Sequence, residues 1–165
     1  MKFIHTSDWH LGQDFYNYDR VVEQKAFLSQ LSEIAAKEKP DALLIAGDIY
    51  HSPTPQNVTV QMYNEGLLAI HKACPEMKII IIAGNHDSAS KLSADSPVWS
   101  ELDVTVVSQV KKDSDADQYI IPVADKGFVV AAPYTYKSNY PPKEGVDKED
   151  RRKEWFRWVL KETEM

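Results

Sequence analysis

The chain has 165 residues, with 19 Lys and Arg against 25 Asp and Glu, which gives a formal net charge of −6. We expect one domain spanning residues 1–165, because a chain of this length can bury about 70% of its unfolded surface. One cysteine excludes an internal disulfide and a thiolate metal cluster, and no apolar run suits a signal peptide or membrane span. We therefore expect a cytoplasmic protein without membrane contact. Its acidic balance provides no general attraction for DNA, so any nucleic-acid binding needs a local site.

The first half of the chain alternates short apolar runs with segments of helical periodicity. Uniformly apolar strands joined by helices are typical of a parallel sheet that is covered on both faces. The pattern therefore predicts a βαβαβ core. Its predicted elements are a strand at 2–7, a helix at 19–39, a strand at 42–46, a helix from Thr54-Pro55 to Pro75 and a strand at 79–83.

The second half contains shorter apolar runs and more charge. The charged residues 111–117 are interpreted as a hairpin tip. We expect Trp155 and Trp158 to be core residues, or part of an interface that the end of the chain leaves uncovered. The predicted elements are short strands at 104–107, 119–123 and 127–132 and an amphipathic helix at 147–164.

Polar side chains follow each of the three strongest predicted strands. Since ligands bind beyond the carboxyl ends of the strands in an open parallel sheet, we expect these segments to meet at one edge. Carboxylate, imidazole and amide groups suit Mn²⁺, Fe²⁺, Mg²⁺ or catalytic Zn²⁺. The candidate residues are Asp8, His10, Asp48, His51, Asn85 and His86.

Each segment also has an ordinary structural interpretation, since Asp8 and Asp48 could cap turns and Gly84-Asn85 favours a left-handed turn. Three coincident turns at three corresponding strand ends are less expected than one shared site. The remaining histidines, His5 and His71, are assigned to structure or surface. The aromatic side chains after the first segment are predicted to pack as a lid on the core, with base stacking as the alternative. They are Phe15, Tyr16 and Tyr18.

Three motifs occur in order: Asp-x-His at Asp8, Gly-Asp-x-x-His at Gly47, and Gly-Asn-His-Asp at Gly84. Together they resemble the calcineurin-like metallophosphoesterases. The longer strings from Thr6 to Gln13 and from Ala46 to His51 are similar to the SbcD branch, the nuclease subunits of bacterial double-strand-break processing complexes. The resemblance implies an α/β sandwich of two packed mixed sheets flanked by helices.

Within that resemblance, Asp8 and His10 would bind one metal ion, Asp48 would bridge two ions and Asn85 would bind the second. His86 would lie beside the scissile phosphate as a catalytic residue, and His51 would act near the nucleotide. The cofactors implied are two divalent ions, with Mn²⁺ preferred over Mg²⁺, Fe²⁺ or Zn²⁺. Two such ions would clamp the phosphate and activate a water molecule.

The resemblance further implies a DNA exonuclease or endonuclease, a partner in the SMC-like ATPase subunit SbcC and a homodimer of the nuclease subunit. The family's site also uses histidines from a later Gly-His and Gly-His-x-His, which this sequence lacks. We therefore expect the N-terminal part of a catalytic domain, incomplete at its C-terminus, with weak or no activity alone. The alternatives are a small-substrate phosphodiesterase or phosphatase of the same superfamily and a non-catalytic assembly module.

Overall fold

Four parallel strands form the central sheet of this computed structural model, which describes residues 1–164. The order across the sheet is β1-β4-β5-β6, so each strand pairs with its predecessor among the four. In chain order the elements are β1 (Phe3–Thr6), β2 (Asp14–Phe15), β3 (Tyr18–Asp19), α1 (Val21–Glu38), β4 (Ala42–Ala46), α2 (Asn57–Ala73), β5 (Lys78–Ile82), α3 (Ala89–Leu92), α4 (Ser96–Ser100), β6 (Val104–Val107), a 3₁₀ turn (Ala116–Gln118), β7 (Ile120–Pro122), β8 (Phe128–Val130), a second 3₁₀ turn (Lys137–Asn139) and α5 (Arg151–Glu162).

The sheet is covered on both faces, as its uniformly apolar strands predict. Leu43, Ile45 and Ile81 pack into one core cluster with α1 and α2. Ile80, which alternates with Ile81 along β5, packs into a second cluster with the β7-β8 pair and α5. Because strand side chains alternate between faces, a continuous apolar run supplies both clusters at once.

The apolar spacing predicts one buried face on each long helix, with Tyr63, Leu67, Ile70 and Cys74 in the second. This face is confirmed, because Tyr63, Leu67 and Ile70 of α2 are buried, and Cys74 at its C-cap is buried too. The face predicted for the first helix, through Phe27, Leu31, Ile34 and Ala35, is wrong at Ile34. Ile34 is 47% exposed because α1 turns Leu28, Leu31 and Ala35 inward.

The predicted start of α2 at Thr54-Pro55 is wrong, since the helix begins at Asn57 after an extended Gln56. The Thr54 hydroxyl lies 3.3 Å from the Ser52 hydroxyl, which also accepts a hydrogen bond from the Thr54 amide. Thr54 is therefore engaged in the preceding loop and does not cap the helix.

The second layer consists of the antiparallel β7-β8 pair and α5. The prediction of a hairpin tip at 111–117 is wrong, because this segment connects the parallel sheet to the β7-β8 pair. The buried Tyr119 holds it there: its hydroxyl accepts a hydrogen bond from the Lys111 amide and lies 2.6 Å from the Ser114 hydroxyl. The α/β class is confirmed, although residues 1–164 form a parallel sheet and antiparallel pairs where two mixed sheets were expected.

The final helix begins at Arg151, later than predicted. It buries Trp155 and Val159 against the second cluster, while Trp158 remains 36% exposed. None of the helices formed by residues 1–164 combines the length and the apolar character that a membrane crossing requires.

Candidate metal centre

The loop after β1 and the loop after β4 are joined by backbone hydrogen bonds. Leu11 also forms a parallel bridge with Tyr50, so the β1-β4 pairing continues into the loops beyond the strand ends. This continuation fixes the Asp8 and His10 positions relative to Asp48. Three amides donate to three carbonyl groups: Asp8 to Gly47 (3.0 Å), His10 to Asp48 (2.9 Å) and Leu11 to Ile49 (2.9 Å).

Three of the predicted site residues adopt left-handed backbone conformations. The φ angles are 56° at Asp8, 43° at His10 and 51° at Asp48. Such angles are uncommon for residues other than glycine and persist where neighbouring interactions enforce them. Here the hydrogen bonds between the two loops provide that enforcement, and the resulting backbone brings the side chains of both loops together.

Two glycines allow the loops after β4 and β5 to approach closely. A Cβ atom added at Gly84 would lie 2.0 Å from Asp48 Oδ1 and 2.3 Å from the Asp48 backbone nitrogen. Gly47, with φ of 86°, would place a Cβ 2.7 Å from Gly84 Cα. The glycines of the two predicted motifs therefore make room for Asp48 itself.

Asp8, His10 and Asp48 form the first acidic and imidazole group. His10 Nε2 lies 3.8 Å from Asp8 Oδ1 and 3.9 Å from Asp48 Oδ2. These distances are too long for hydrogen bonds. Ligands held at about 2.1 Å from one ion lie about 3.0–3.4 Å apart, so a shift of roughly half an ångström would bring the three atoms onto a common ion.

Three imidazoles form a second group that shares His10 with the first. The centroid of the His10 ring lies 5.0 Å from that of the His86 ring and 5.6 Å from that of the His51 ring. The His51 and His86 rings stack with their centroids 5.8 Å apart. His86 Nδ1 lies 3.0 Å from the His51 carbonyl oxygen. Because a carbonyl oxygen only accepts hydrogen bonds, this contact assigns the proton to Nδ1 and leaves Nε2 of His86 free.

The loop after β5 reaches the centre through its backbone as well as its side chains. The His86 amide donates a hydrogen bond of 3.0 Å to Asp48 Oδ1. Asn85, immediately before it, is exposed. The structure thus brings five predicted residues together as two groups of donor atoms, and Asn85 lies on the loop that carries His86.

Asp87 was not among the predicted site residues, although it closes the third motif. Its carboxylate accepts hydrogen bonds from the amides of Ile49 (3.2 Å), Tyr50 (3.0 Å) and Gly84 (2.8 Å). It therefore ties the loop after β4 to the loop after β5. Burial and the Asp87 charge raise the pKa of the Tyr50 hydroxyl, in that order of size, so Tyr50 stays neutral.

Gln24 of α1 was also missed. Its side-chain nitrogen donates a hydrogen bond of 3.1 Å to the His10 carbonyl, and its side-chain oxygen accepts one of 3.1 Å from the Gly12 amide. Gln24 is only 5% exposed and lies on the face of α1 that carries Leu28 and Leu31. A polar residue in phase with a buried helical face is the sequence signal that could have identified it.

The donor atoms of the centre fit a divalent metal ion. Nε2 of His10 faces the Asp8 and Asp48 carboxylates, and Nδ1 of His51 is buried without a hydrogen-bonding partner among residues 1–164. Such buried polar groups normally have partners, and carboxylates with imidazoles are common ligands of divalent ions. Asp8, His10 and Asp48 supply both ligand types within 4.8 Å of one another.

Residues 1–161 match the calcineurin-like phosphoesterase family. The chain belongs to this family. The SbcD subunit of nuclease SbcCD from Rhodobacter capsulatus is 34% identical over 149 residues, which are 86% of this chain and 37% of that protein. The proteins of the same name from Escherichia coli K12 and Bacillus subtilis 168 are both 36% identical, over 66% and 65% of this chain and 26% and 27% of their own lengths. The chain therefore spans well under half the length of these relatives.

Membership of the calcineurin-like phosphoesterase family confirms the predicted α/β class and the resemblance to the SbcD branch. Together with the acidic and imidazole groups at the sheet edge, it implies that this centre binds divalent metal ions.

Proposed function

We propose that residues 1–165 form the N-terminal part of the catalytic domain of an SbcD-type nuclease subunit, which hydrolyses phosphodiester bonds in DNA. The observation that carries the proposal is the convergence of Asp8, His10 and Asp48 from two separate loops, with donor atoms within 4.8 Å. Family membership supports phosphoester chemistry at this position. The relatives named as SbcCD nuclease subunits support DNA as the substrate.

In this proposal Asp8 and His10 would hold one ion, Asn85 would help to hold a second, and Asp48 would be a ligand of both. Mn²⁺ suits this mixture of carboxylate, imidazole and amide ligands, as Mg²⁺, Fe²⁺ and Zn²⁺ do to differing degrees. When bound, divalent ions lower the pKa of water and neutralise charge on the phosphate. The hydrogen bond from the His86 amide to Asp48 Oδ1 orients the carboxylate and leaves Oδ2 free for an ion.

His86 is proposed as the group that moves a proton to the leaving oxygen. Its Nδ1–H is held by the His51 carbonyl, which fixes the ring, so Nε2 would take a proton from solvent water and pass it to the leaving oxygen. The stacked His51 ring, 5.8 Å away, limits how far the His86 ring can tilt. We propose that His51 positions His86 and also contacts the nucleotide.

The proposed partners follow from the names of the relatives. Because these names place the relatives in an SbcCD nuclease, they support an association with an SbcC-type SMC-like ATPase subunit. We further propose that the nuclease subunit forms a homodimer. The substrate would be DNA ends or hairpins, and the acidic chain would attract them through the local charge of bound divalent ions.

We expect weak or no hydrolysis by this chain alone. Only three of its five histidines belong to the centre, since His5 lies in β1 and His71 in the last turn of α2. Asn85 and the shared Asp48 leave a second ion with few protein ligands. Divalent ions of this type prefer about six ligands, so the second ion should bind weakly and exchange readily.

The test is a calorimetric Mn²⁺ titration combined with assays of DNA cleavage. We expect Asp48→Asn to weaken Mn²⁺ binding at least tenfold and to remove any Mn²⁺-dependent cleavage, because it deletes the proposed shared ligand. Asp103→Asn, at the opposite end of the sheet, is the matched control and should leave both unchanged. Unaltered Mn²⁺ binding in Asp48→Asn would contradict the assignment.

The same assays separate the alternatives. Faster hydrolysis of a small chromogenic phosphodiester than of DNA ends would indicate a small-substrate phosphodiesterase of the family. Absence of Mn²⁺ binding at millimolar concentration would indicate an assembly module. Strong Asp48-dependent cleavage of DNA by the isolated chain would support the nuclease and contradict the expected low activity.

A further inference from the structure

The β2-β3 hairpin carries three aromatic side chains into solvent. Phe15 is 61% exposed, Tyr16 is 91% exposed and Tyr18 is 58% exposed, so the prediction that they pack as a lid on the core is wrong. The hairpin is short, since only Asp14 with Asp19 and Phe15 with Tyr18 pair. The Phe15 and Tyr16 rings contact each other edge to face at 4.8 Å. Burial in the core therefore does not explain these side chains.

Tyr16 also occupies an unfavourable backbone position. Tyr16 and Asn17 form the two-residue loop between the paired Phe15 and Tyr18, with φ angles of 48° and 65°. Two positive φ angles define a type I′ turn, which strongly favours Asn, Asp or Gly at both positions. A tyrosine there is strained and packs only on the exposed Phe15 ring, so turn preference does not explain its presence.

The hairpin is attached rigidly to the metal centre. The Gln13 amide donates a hydrogen bond of 3.0 Å to the His10 carbonyl. Arg20 donates one of 2.8 Å to the Gln13 side-chain oxygen, and this bond joins the two ends of the hairpin. Gln24 holds the same His10 carbonyl from α1. Tyr16 follows His10 by six residues, so their Cα atoms lie within about 20 Å of each other.

The charges beside the rings determine which part of a nucleotide they can contact. Asp14 and Asp19 pair at the base of the hairpin, and the nearby Glu23 carboxylate raises the pKa of Tyr18. These carboxylates repel phosphate groups but not the faces of uncharged bases. Aromatic rings bind bases by stacking, without preference for sequence.

We propose that Phe15 and Tyr16 form a stacking platform for unpaired bases of a DNA strand whose phosphate lies at the metal centre. This inference rests on the proposed nuclease function and adds the substrate form that the centre would receive, a strand with unpaired bases near the cleaved bond. At about 3.4 Å per stacked base, the platform reaches bases up to roughly six positions from the metal centre.

The test measures binding of a labelled single-stranded oligonucleotide and of a blunt duplex to the full chain by fluorescence anisotropy. Tyr16→Asn supplies the residue that the turn prefers, so it should raise the melting temperature while weakening single-strand binding about fivefold to a hundredfold. Phe15→Ala should weaken single-strand binding by a similar factor. Blunt-duplex binding should change less than twofold in both variants.

Two controls make the result specific. Phe3→Thr removes an exposed aromatic ring from the opposite end of the same sheet and should leave single-strand binding unchanged. An abasic oligonucleotide keeps the phosphates without bases, and wild-type protein should bind it as weakly as Tyr16→Asn binds the intact strand.

Unchanged single-strand binding by a folded Tyr16→Asn variant would overturn the inference. So would wild-type protein that cleaves duplex DNA with Mn²⁺ but has no affinity for single strands, a result that leaves the proposed nuclease function standing. Wild-type protein that binds neither Mn²⁺ nor any DNA would overturn both.

Discussion

At the amino end of the parallel sheet, acidic side chains are paired with lysines, whereas at the carboxyl end Asp8 and Asp48 face imidazoles. The backbone differs in the same way, since Asp8, His10 and Asp48 have positive φ angles. The pairs at the amino end are Lys2 with Glu38 (2.8 Å), Lys78 with Asp103 (2.5 Å) and Lys126 with Asp41 (2.5 Å).

The same chemical groups therefore serve different purposes at the two ends. A carboxylate beside a lysine has its charge balanced within the protein, and at the surface such a pair adds little to stability. At the other end, imidazole nitrogens of His10 and His51 are buried without hydrogen-bonding partners among residues 1–164, and Asp8, His10 and Asp48 keep a strained backbone. Unbalanced groups held in place by other contacts indicate a binding site more strongly than the residue types alone.

Among these variants, Gly84→Ala should disturb the carboxyl end of the sheet most. The added Cβ would overlap the Asp48 side chain and backbone, so Asp48 must move. We expect a loss of about 1–3 kcal/mol of unfolding free energy from overpacking. A displacement near 1 Å can cost about a hundredfold in activity, and Mn²⁺ affinity should fall with it. Urea unfolding and calorimetry measure the two effects.

Gly145→Ala is the control for that substitution. Gly145 has φ of 74° and no atom within 4 Å of an added Cβ, so the variant adds backbone strain without a clash. Its Mn²⁺ affinity should equal that of the wild type. Normal Mn²⁺ binding in a folded Gly84→Ala variant would show that the centre tolerates displacement of Asp48.

Asp87→Asn should have a smaller effect on Mn²⁺ binding at the same end of the sheet. An amide nitrogen cannot accept the hydrogen bonds that the carboxylate receives from Ile49, Tyr50 and Gly84, so at least one buried amide loses its acceptor. We expect about 1–3 kcal/mol lower stability by chemical unfolding and weaker Mn²⁺ binding, since Asp87 joins two loops of the centre. Asp95→Asn, at an exposed position, should change neither quantity.

Asp41→Asn should have the smallest effect and act only at the amino end. The hydrogen bond from Lys126 and that from the Lys2 amide, in this order, lower the pKa of Asp41. A lowered pKa stabilises the folded protein above the ordinary pKa of aspartate, and this contribution is lost as the pH falls through the folded value. The melting temperature of the variant should therefore be lower than that of the wild type at neutral pH and equal to it in strong acid.

Mn²⁺ binding by Asp41→Asn should match the wild type, and Asp113→Asn, at an exposed position, should melt like the wild type at both pH values. Weaker Mn²⁺ binding in Asp41→Asn would mean that the two ends of the sheet are coupled, and would remove the contrast drawn between them.

The sequence predicted the parallel core well because its strands are buried on both faces. The run at 42–46 coincides with β4, and the run at 104–107 coincides with β6. Apolar periodicity reports burial directly, so these elements could be recognised without tertiary information. The start of α2 was missed because Thr54 bonds to Ser52, a loop contact that residue preferences do not specify.

The candidate centre was predicted in its residue types and in its convergence, because parallel strand ends share an edge of the sheet. Its supporting contacts were not. Asp87 acts through backbone amides 37 and 38 residues away, and Gln24 through a carbonyl 14 residues away. The exposure of Phe15 and Tyr16 was predicted wrongly for a related reason, since nothing in their sequence distinguishes a ring that packs on the core from one that does not.

The hydrogen bonds between the loops join residues that are far apart in sequence, such as His86 and Asp48 at a separation of 38. They can form only after β1, β4 and β5 have aligned, so the centre should be among the last features to assemble during folding. An ion that binds only the assembled centre draws the whole folding equilibrium toward the native state. Mn²⁺ added to refolding protein should then raise the native yield and leave the rate of sheet formation unchanged.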